Sequence, residues 1–257
     1  MRKSGFSLIE LVVVMGVMAL TAAIAGPAIF EALSPESRLK DRTGDLYSDI
    51  VFAQNEAVRQ GAYNLQIVTG GGGGSTLRQR RVFFVFEPPN SYSIWRWEDK
   101  DGDNVRDAGE FNPDLDPNGD GTAADDAPVK EVEVDQAGRF EYGFPTENPY
   151  EDQCPSGINR TACGDDPGVP SMEITFSMNS CTLPIAPCND NPEAKAIEFD
   201  SNGFIGRNGA VYITNNKYAY AISGNGAGLF YRCMWRYVPD NPVTPLNEAG
   251  CHWIPMH

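Results

Sequence analysis

Twelve consecutive residues, Asp99-Lys-Asp101-Gly-Asp103-Asn-Val105-Arg-Asp107-Ala-Gly-Glu110, carry carboxylates at positions 1, 3, 5, 9 and 12 of the stretch. Val105 stands at position 7, where its backbone carbonyl adds another oxygen. That donor order suits Ca2+, which takes several hard oxygens in a flexible shell and draws two from a carboxylate at the last position. Position 6 is Asn104 where such loops use glycine. Asparagine tolerates the left-handed backbone better than most residues, so the pattern is weakened but kept. A weaker second site opens at Asp116, Asn118 and Asp120 but has no acid at its twelfth position. The plainer reading of both stretches is a solvated acidic loop, since Asp, Asn and Gly are turn-formers in any case.

A second carboxylate stands in very different company. From Phe6 to Phe30 the chain is apolar and small, and Glu10 is its only charge. A run of that length can cross a bilayer as a helix. An acid inside such a helix is costly unless paired, so Glu10 is a functional candidate. Arg2 and Lys3 precede the run and place the N-terminus on the cytoplasmic side. A cleaved secretory signal ending at Ala23-Ile24-Ala25 competes with this reading. The position of Glu10 and the amphipathic pattern that begins after Pro27 both count against it.

Other chemistry is sparse. The two histidines, His252 and His257, sit at the C-terminal end, which argues against a histidine-based catalytic centre. Six cysteines, Cys154, Cys163, Cys181, Cys188, Cys233 and Cys251, all fall in the second half, and none forms C-x-x-C. In an exported domain an even count reads as a disulfide framework, with 15 connectivities open to six cysteines. The simplest pairs sequence neighbours: Cys154 with Cys163, Cys181 with Cys188, Cys233 with Cys251. Arg78, Arg80 and Arg81 make the one basic cluster in a chain of net charge −15. That balance argues against nucleic acid as a partner and favours a solvated strand edge. Trp95, Trp97, Trp235 and Trp253 read as packing residues.

These groups need elements to hold them. Leu33, Leu39, Leu46, Ile50, Val51, Ala53, Ala57 and Val58 recur at helical spacing between charges, so the membrane helix continues as an amphipathic one to Gly61, with a possible kink at Pro35. Short strands follow: 63–68, a hairpin of 81–87 and 91–98 around Pro88-Pro89-Asn90, then 129–134, 138–142, 172–178, 194–199, 209–214, 218–223 and 229–235. Residues 99–126 form an acidic insertion, and the tail after Pro239 reads as irregular. The glycine run 70–74 lacks the lysine of a phosphate-binding loop. The class is α+β.

Gly5-Phe6-Ser7-Leu8-Ile9-Glu10 resembles the prepilin signature of type IV pilins and type II secretion pseudopilins. The resemblance implies a leader of residues 1–5, cleavage by a prepilin peptidase between Gly5 and Phe6, and N-methylation of Phe6. It implies a long N-terminal helix over 6–61, transmembrane over 6–30 and then amphipathic, packed on an antiparallel β domain over 62–257 with disulfide-tied loops. Glu10 would accept the charged amine of Phe6 in an adjacent subunit during assembly. The segments Leu46–Gly61 and Ala196–Arg207, the latter with an I-x-F-x-x-x-G pattern, resemble the FimT/GspH group of minor pilins and pseudopilins. The implied partners are other pilin or pseudopilin subunits, the prepilin peptidase and the inner membrane. The implied location is a single-pass inner-membrane protein with an exported C-terminal domain, and then a periplasmic or cell-surface filament. Some FimT-like pilins bind DNA through basic residues, so a DNA-binding minor pilin for DNA uptake is one alternative, and a calcium-dependent adhesin on a pilin stem is the other. No enzymatic activity is implied.

Overall fold

The computed structural model describes residues 8–9, 11–18, 21, 35–61, 67–69, 75–77, 79–99, 103, 105–107, 110–111, 127–133, 140–144, 174–176, 181–238 and 250–256. Residues 8–9, 11–18 and 21 are helical. The principal helix, α1, runs Pro35–Gly61. It begins on the proline that the sequence marked as a kink, because proline suits the first turn, where its missing N–H has no intrahelical partner. Whether α1 is continuous with the apolar helix before it lies outside the described residues. Glu36 in the first turn and Arg59 in the last complement the helix dipole.

The core face of α1 is Leu39, Thr43, Leu46, Ile50, Ala53, Ala57 and Gln60, a strict alternation of fours and threes. That spacing keeps one seam on one side of a helix. Val51 and Val58, expected on this face, follow Ile50 and Ala57 by one residue. They therefore turn away by a quarter of the helix circumference, and Val58 is exposed.

Two antiparallel sheets receive that face. One is ordered β5-β4-β3-β7, from Lys130–Glu133, Ser91–Glu98, Arg80–Glu87 and Lys195–Phe199. The other is ordered β11-β10-β9-β8-β6, from Gly250–Met256, Phe230–Val238, Ala219–Gly224, Gly209–Thr214 and Glu141–Tyr142. A small hairpin pairs β1 (Ile67–Thr69) with β2 (Ser75–Leu77). A short helix, α2 (Ala186–Asp190), was not foreseen in the sequence. Strand β11 was not foreseen either. It pairs with β10 over seven residues where an irregular tail was expected.

Strand period two sorts the apolar residues into three layers. Val82, Phe84, Phe86, Tyr92, Ile94, Ile197 and Phe199 of the first sheet, with Val211, Ile213, Tyr220 and Ile222 of the second, join the α1 seam in one core. Phe83, Val85, Trp95 and Trp97 face the other way, under Phe111, Leu183, Ile185 and Cys188. Tyr212, Ala221, Cys233, Trp235 and Trp253 line the outer face of the second sheet. All four tryptophans are thus packing residues. Because both faces of β3 are covered, Val82–Phe86 is apolar without alternation.

Cys181 and Cys188 are joined, with Cα atoms 5.1 Å apart. Cys233 is also in a disulfide, but the neighbour pairing expected for it fails. The β10–β11 register sets Cys251 opposite Tyr237, and Cys233 opposite Pro255. Four residues of strand put ~13 Å between the two cysteines, roughly twice the Cα span of a disulfide. Cys154 and Cys163 lie outside the described residues.

Candidate functional site

The expected leader junction Gly5-Phe6 and the acid Glu10 lie outside the described residues. Their helical neighbours present apolar side chains to the surroundings: Leu8 is 82% exposed and Ile9 71%, and Leu11 to Met18 are exposed throughout. Such a surface is unfavourable in water and calls for lipid or another apolar partner. Thr21 is satisfied within its own helix, its Oγ1 donating to the carbonyls of Val17 (3.1 Å) and Met18 (3.0 Å). That back-bonding is how a hydroxyl is tolerated where water is absent. Among the described residues no helix is long and apolar enough to cross a membrane.

From Pro35 on, the helix is locked to the β domain by polar contacts at its seam. Asp49 is buried, and both its oxygens accept from Lys130 Nζ, at 2.6 and 2.7 Å. Tyr92 also donates its hydroxyl to Asp49 Oδ2, at 2.7 Å. Burial and this carboxylate together push the Tyr92 phenol well above its ordinary range. Two turns on, Glu56 Oε1 accepts from Arg59 (2.7 Å) and Gln60 (3.0 Å), with Arg96 of β4 at 3.8 Å. Burial pushes the Glu56 carboxyl up, but the Arg59 and Gln60 hydrogen bonds and the two guanidinium charges outweigh it and hold it below the usual carboxylate value.

Between these lies a third anchor. Gln54 Nε2 donates to the carbonyls of Gly203 (2.9 Å) and Gly228 (2.8 Å). Both glycines adopt positive φ, +78° and +77°, which favours glycine on steric grounds. A Cβ on Gly203 would stand 2.9 Å from Val58 and 3.0 Å from the Gln54 side chain. The two segments that resemble the FimT/GspH group, Leu46–Gly61 and Ala196–Arg207, therefore meet each other, with Gln54 as the latch. Of the acceptors and ion-pair partners on α1, none was singled out in the sequence. The available signal was polar residues at or beside seam positions: Asp49, Glu56 and Gln60 break an otherwise small and apolar face.

The acidic loop is partly described. Trp97 and Phe111 form an antiparallel bridge, which brings the two ends of 99–110 together at the end of β4. Asp99 and Glu110 are buried at that base. Glu110 Oε2 accepts from the Trp97 indole at 2.9 Å, so one of its two oxygens is already engaged. Asp103, Val105 and Asp107 are exposed, and Asp103 Oδ1 caps the Val105 N–H at 2.7 Å. Asp101, Asp116, Asn118 and Asp120 lie outside the described residues. Among the described residues no group of three or more His, Cys, Asp or Glu is arranged to hold a metal ion.

The basic cluster sits in a strand that is not an edge, since β3 lies between β4 and β7. Arg80 pairs with Glu98 at 3.0 Å, and Arg81 with Glu198 at 3.0 Å. Arg106 reaches out of the acidic loop to the same Glu198 at 2.6 Å and covers the Phe83 ring at 5.1 Å. These guanidinium groups are thus committed to carboxylates within the domain. Arg78 lies outside the described residues.

The family model for the prokaryotic N-terminal methylation motif matches residues 1–26. No curated protein and no solved structure matches the chain. The match covers Gly5-Phe6, Glu10 and most of the apolar run, and beyond it the described residues form a fold of mixed helix and antiparallel sheet. The methylation motif supports a type IV pilin-like protein, exported and membrane-anchored, and a structural subunit rather than an enzyme.

Proposed function

We propose that this chain is a minor pilin or pseudopilin, a structural subunit that enters or primes a type IV pilus or a type II secretion pseudopilus. The observation that carries the proposal is the methylation motif at residues 1–26, followed by a helix that lays one face on a β domain. The two halves have separable jobs. The exposed apolar helix packs in lipid before assembly and against other subunits afterwards, while α1 carries the folded domain at its end. Glu10 would pair with the amine of Phe6 in a neighbouring subunit, since burying the two charges together costs less than burying either alone. N-terminal mass analysis of the assembled protein should find methylated Phe6 as the first residue. A start at Gly26 would refute the proposal. Glu10→Val should insert into the membrane normally but enter filaments slowly or not at all, as read by the filament-bound fraction.

The FimT/GspH likeness gains support from the contact that Gln54 makes with the I-x-F-x-x-x-G turn. A DNA-receptor role loses support, because Arg80 and Arg81 are each ion-paired to a carboxylate within the domain. For the acidic insertion we keep Ca2+ at Asp99, Asp101, Asp103, Val105, Asp107 and Glu110, with the weaker set Asp116, Asn118 and Asp120. Closure of the loop base by the Trp97–Phe111 bridge favours it. The Glu110–Trp97 hydrogen bond means that Oε2 of the glutamate would have to release the indole before it could bind the ion.

A further inference from the structure

We infer that Cys233 is bonded to Cys154 or Cys163, so that the disulfide framework is long-range and not a set of local loops. Three observations carry this. Cys233 is disulfide-bonded. Cys181 and Cys188 are bonded to each other and are not available to it. Cys251 is held by seven consecutive β10–β11 pairs opposite Tyr237, four residues from Cys233, and a strand does not bend that distance away within an intact ladder. Of the six cysteines in the chain, this leaves Cys154 and Cys163. The geometry at Cys233 agrees with a distant partner. Its side chain is fully buried on the outer sheet face, beside Trp235 and Trp253 and away from α1. A bond there ties the segment between β6 and β8 to the back of the sheet. It closes a loop of roughly 70–80 residues, a larger constraint on the unfolded chain than any neighbour pair would supply.

The connectivity implies a partner of defined chemistry. If the chain is exported from its N-terminal anchor outward, as proposed above, Cys154 and Cys163 emerge first and are the first pair able to oxidise. Their two thiols would lose two protons and two electrons to the disulfide of a dithiol oxidant, which is reduced in turn. Reaching the folded arrangement from that species requires the Cys233 thiolate to attack one sulfur of that bond, releasing the other as a thiolate with no net oxidation; the released thiol then joins the remaining one, Cys251, passing two protons and two electrons to the disulfide of a second dithiol oxidant. The chain is thus a substrate for a thiol–disulfide isomerase of the exported compartment.

Peptide mapping of the full chain, purified in detergent without reduction and alkylated at low pH, tests the connectivity. Cleavage after Arg160, Lys195, Arg232 and Arg236 puts Cys154, Cys163, Cys233 and Cys251 on four different peptides. The peptide 233–236 should be linked to the one carrying Cys154 or the one carrying Cys163. A link to the peptide carrying Cys251 overturns the inference. In Cys251→Ser the link from Cys233 should persist, and a free Cys233 thiol in that variant would also overturn it. Reoxidation of the reduced chain should pass through a Cys154–Cys163 species that catalytic isomerase removes several-fold faster. Equal rates with and without isomerase would refute the partner and leave the connectivity standing. None of these results depends on how the leader is processed, so failure of the pilin reading is seen separately.

Discussion

Gln54→Ala removes the latch between the helix and the two glycine turns, and its cost can be worked from the contacts. The side chain donates two hydrogen bonds, to Gly203 and Gly228 carbonyls, at 2.9 and 2.8 Å. Both glycines are buried, so water does not readily replace the amide. A net ~1 kcal/mol per neutral hydrogen bond, with part of the extra cost of leaving buried acceptors unpaired, gives about 2–3 kcal/mol. For a chain of this size each kcal/mol moves Tm by roughly 2–4 °C, so a fall of about 4–12 °C is expected. Gln54→Glu sharpens the test because it keeps the shape and removes the N–H groups. A carboxylate would face two carbonyl oxygens and would be tolerated best when protonated. Its folded-state pKa would therefore lie above the unfolded value of ~4.3. A raised folded pKa means stability that is fully present below the unfolded pKa and lost as pH rises through the folded one. Relative to wild type at the same pH, Gln54→Glu should be mildly destabilised near pH 4 and strongly so at pH 7, while the Gln54→Ala deficit stays level. Thermal unfolding of the full chain in detergent, followed by near-ultraviolet circular dichroism, reads both. An alanine variant within about 1 °C of wild type, or a glutamate variant whose deficit does not change with pH, would refute the reasoning.

Further outcomes follow from the same contacts. Glu56 has a depressed pKa, so its contribution is present above about 4.5 and lost as pH falls through the folded value; the Tm gap between wild type and Glu56→Gln should be open at pH 7 and narrow progressively as the pH is lowered below about 4.5. Glu87 has the opposite sign, because burial raises its pKa against the opposing Ser93 hydrogen bond. Glu87→Gln should accordingly melt at or above wild type at pH 7 and lose that advantage near pH 4. Gly228→Ala places a Cβ against the Gly203 carbonyl and the Gln54 amide at a φ of +77°, and should lower Tm at least as much as Gln54→Ala. Ca2+ at tenfold excess over Kd should stabilise the chain by about 1.4 kcal/mol, worth roughly 3–6 °C. The double variant Asp103→Asn/Asp107→Asn should abolish that rise without changing the melt in chelator, since both residues are exposed; identical wild-type melts with Ca2+ and with chelator would end the calcium reading.

Much of this protein is legible in one dimension because the signals are local. A charge-free apolar run interrupted by Glu10 and preceded by two cations is a property of consecutive residues, and lipid reads it without any tertiary context. The α1 seam and the β3–β4 hairpin are equally local, since periodicity and turn residues act within a few positions. The oxygen spacing of 99–110 is legible too, but not what Glu110 does, because its contact with Trp97 exists only once Phe111 bridges back to β4. The polar anchors were invisible for the same reason. Asp49, Gln54 and Glu56 read as ordinary helix-surface residues until Lys130, Gly203 and Arg96 arrive from 81, 149 and 40 residues away. Strand β11 was missed because Gly250–Met256 contains a proline and little alternation, and it is the pairing with β10 that makes it a strand. Sequence proximity likewise suggested Cys233 with Cys251. Register, which is set by the whole ladder and not by either cysteine, separates them. What the sequence determined alone is what a single segment can satisfy by itself or with solvent and lipid. What tertiary structure decided is which buried polar and sulfur groups meet, because desolvation forces each to find a partner, and the strand order and register determine which partner is within reach.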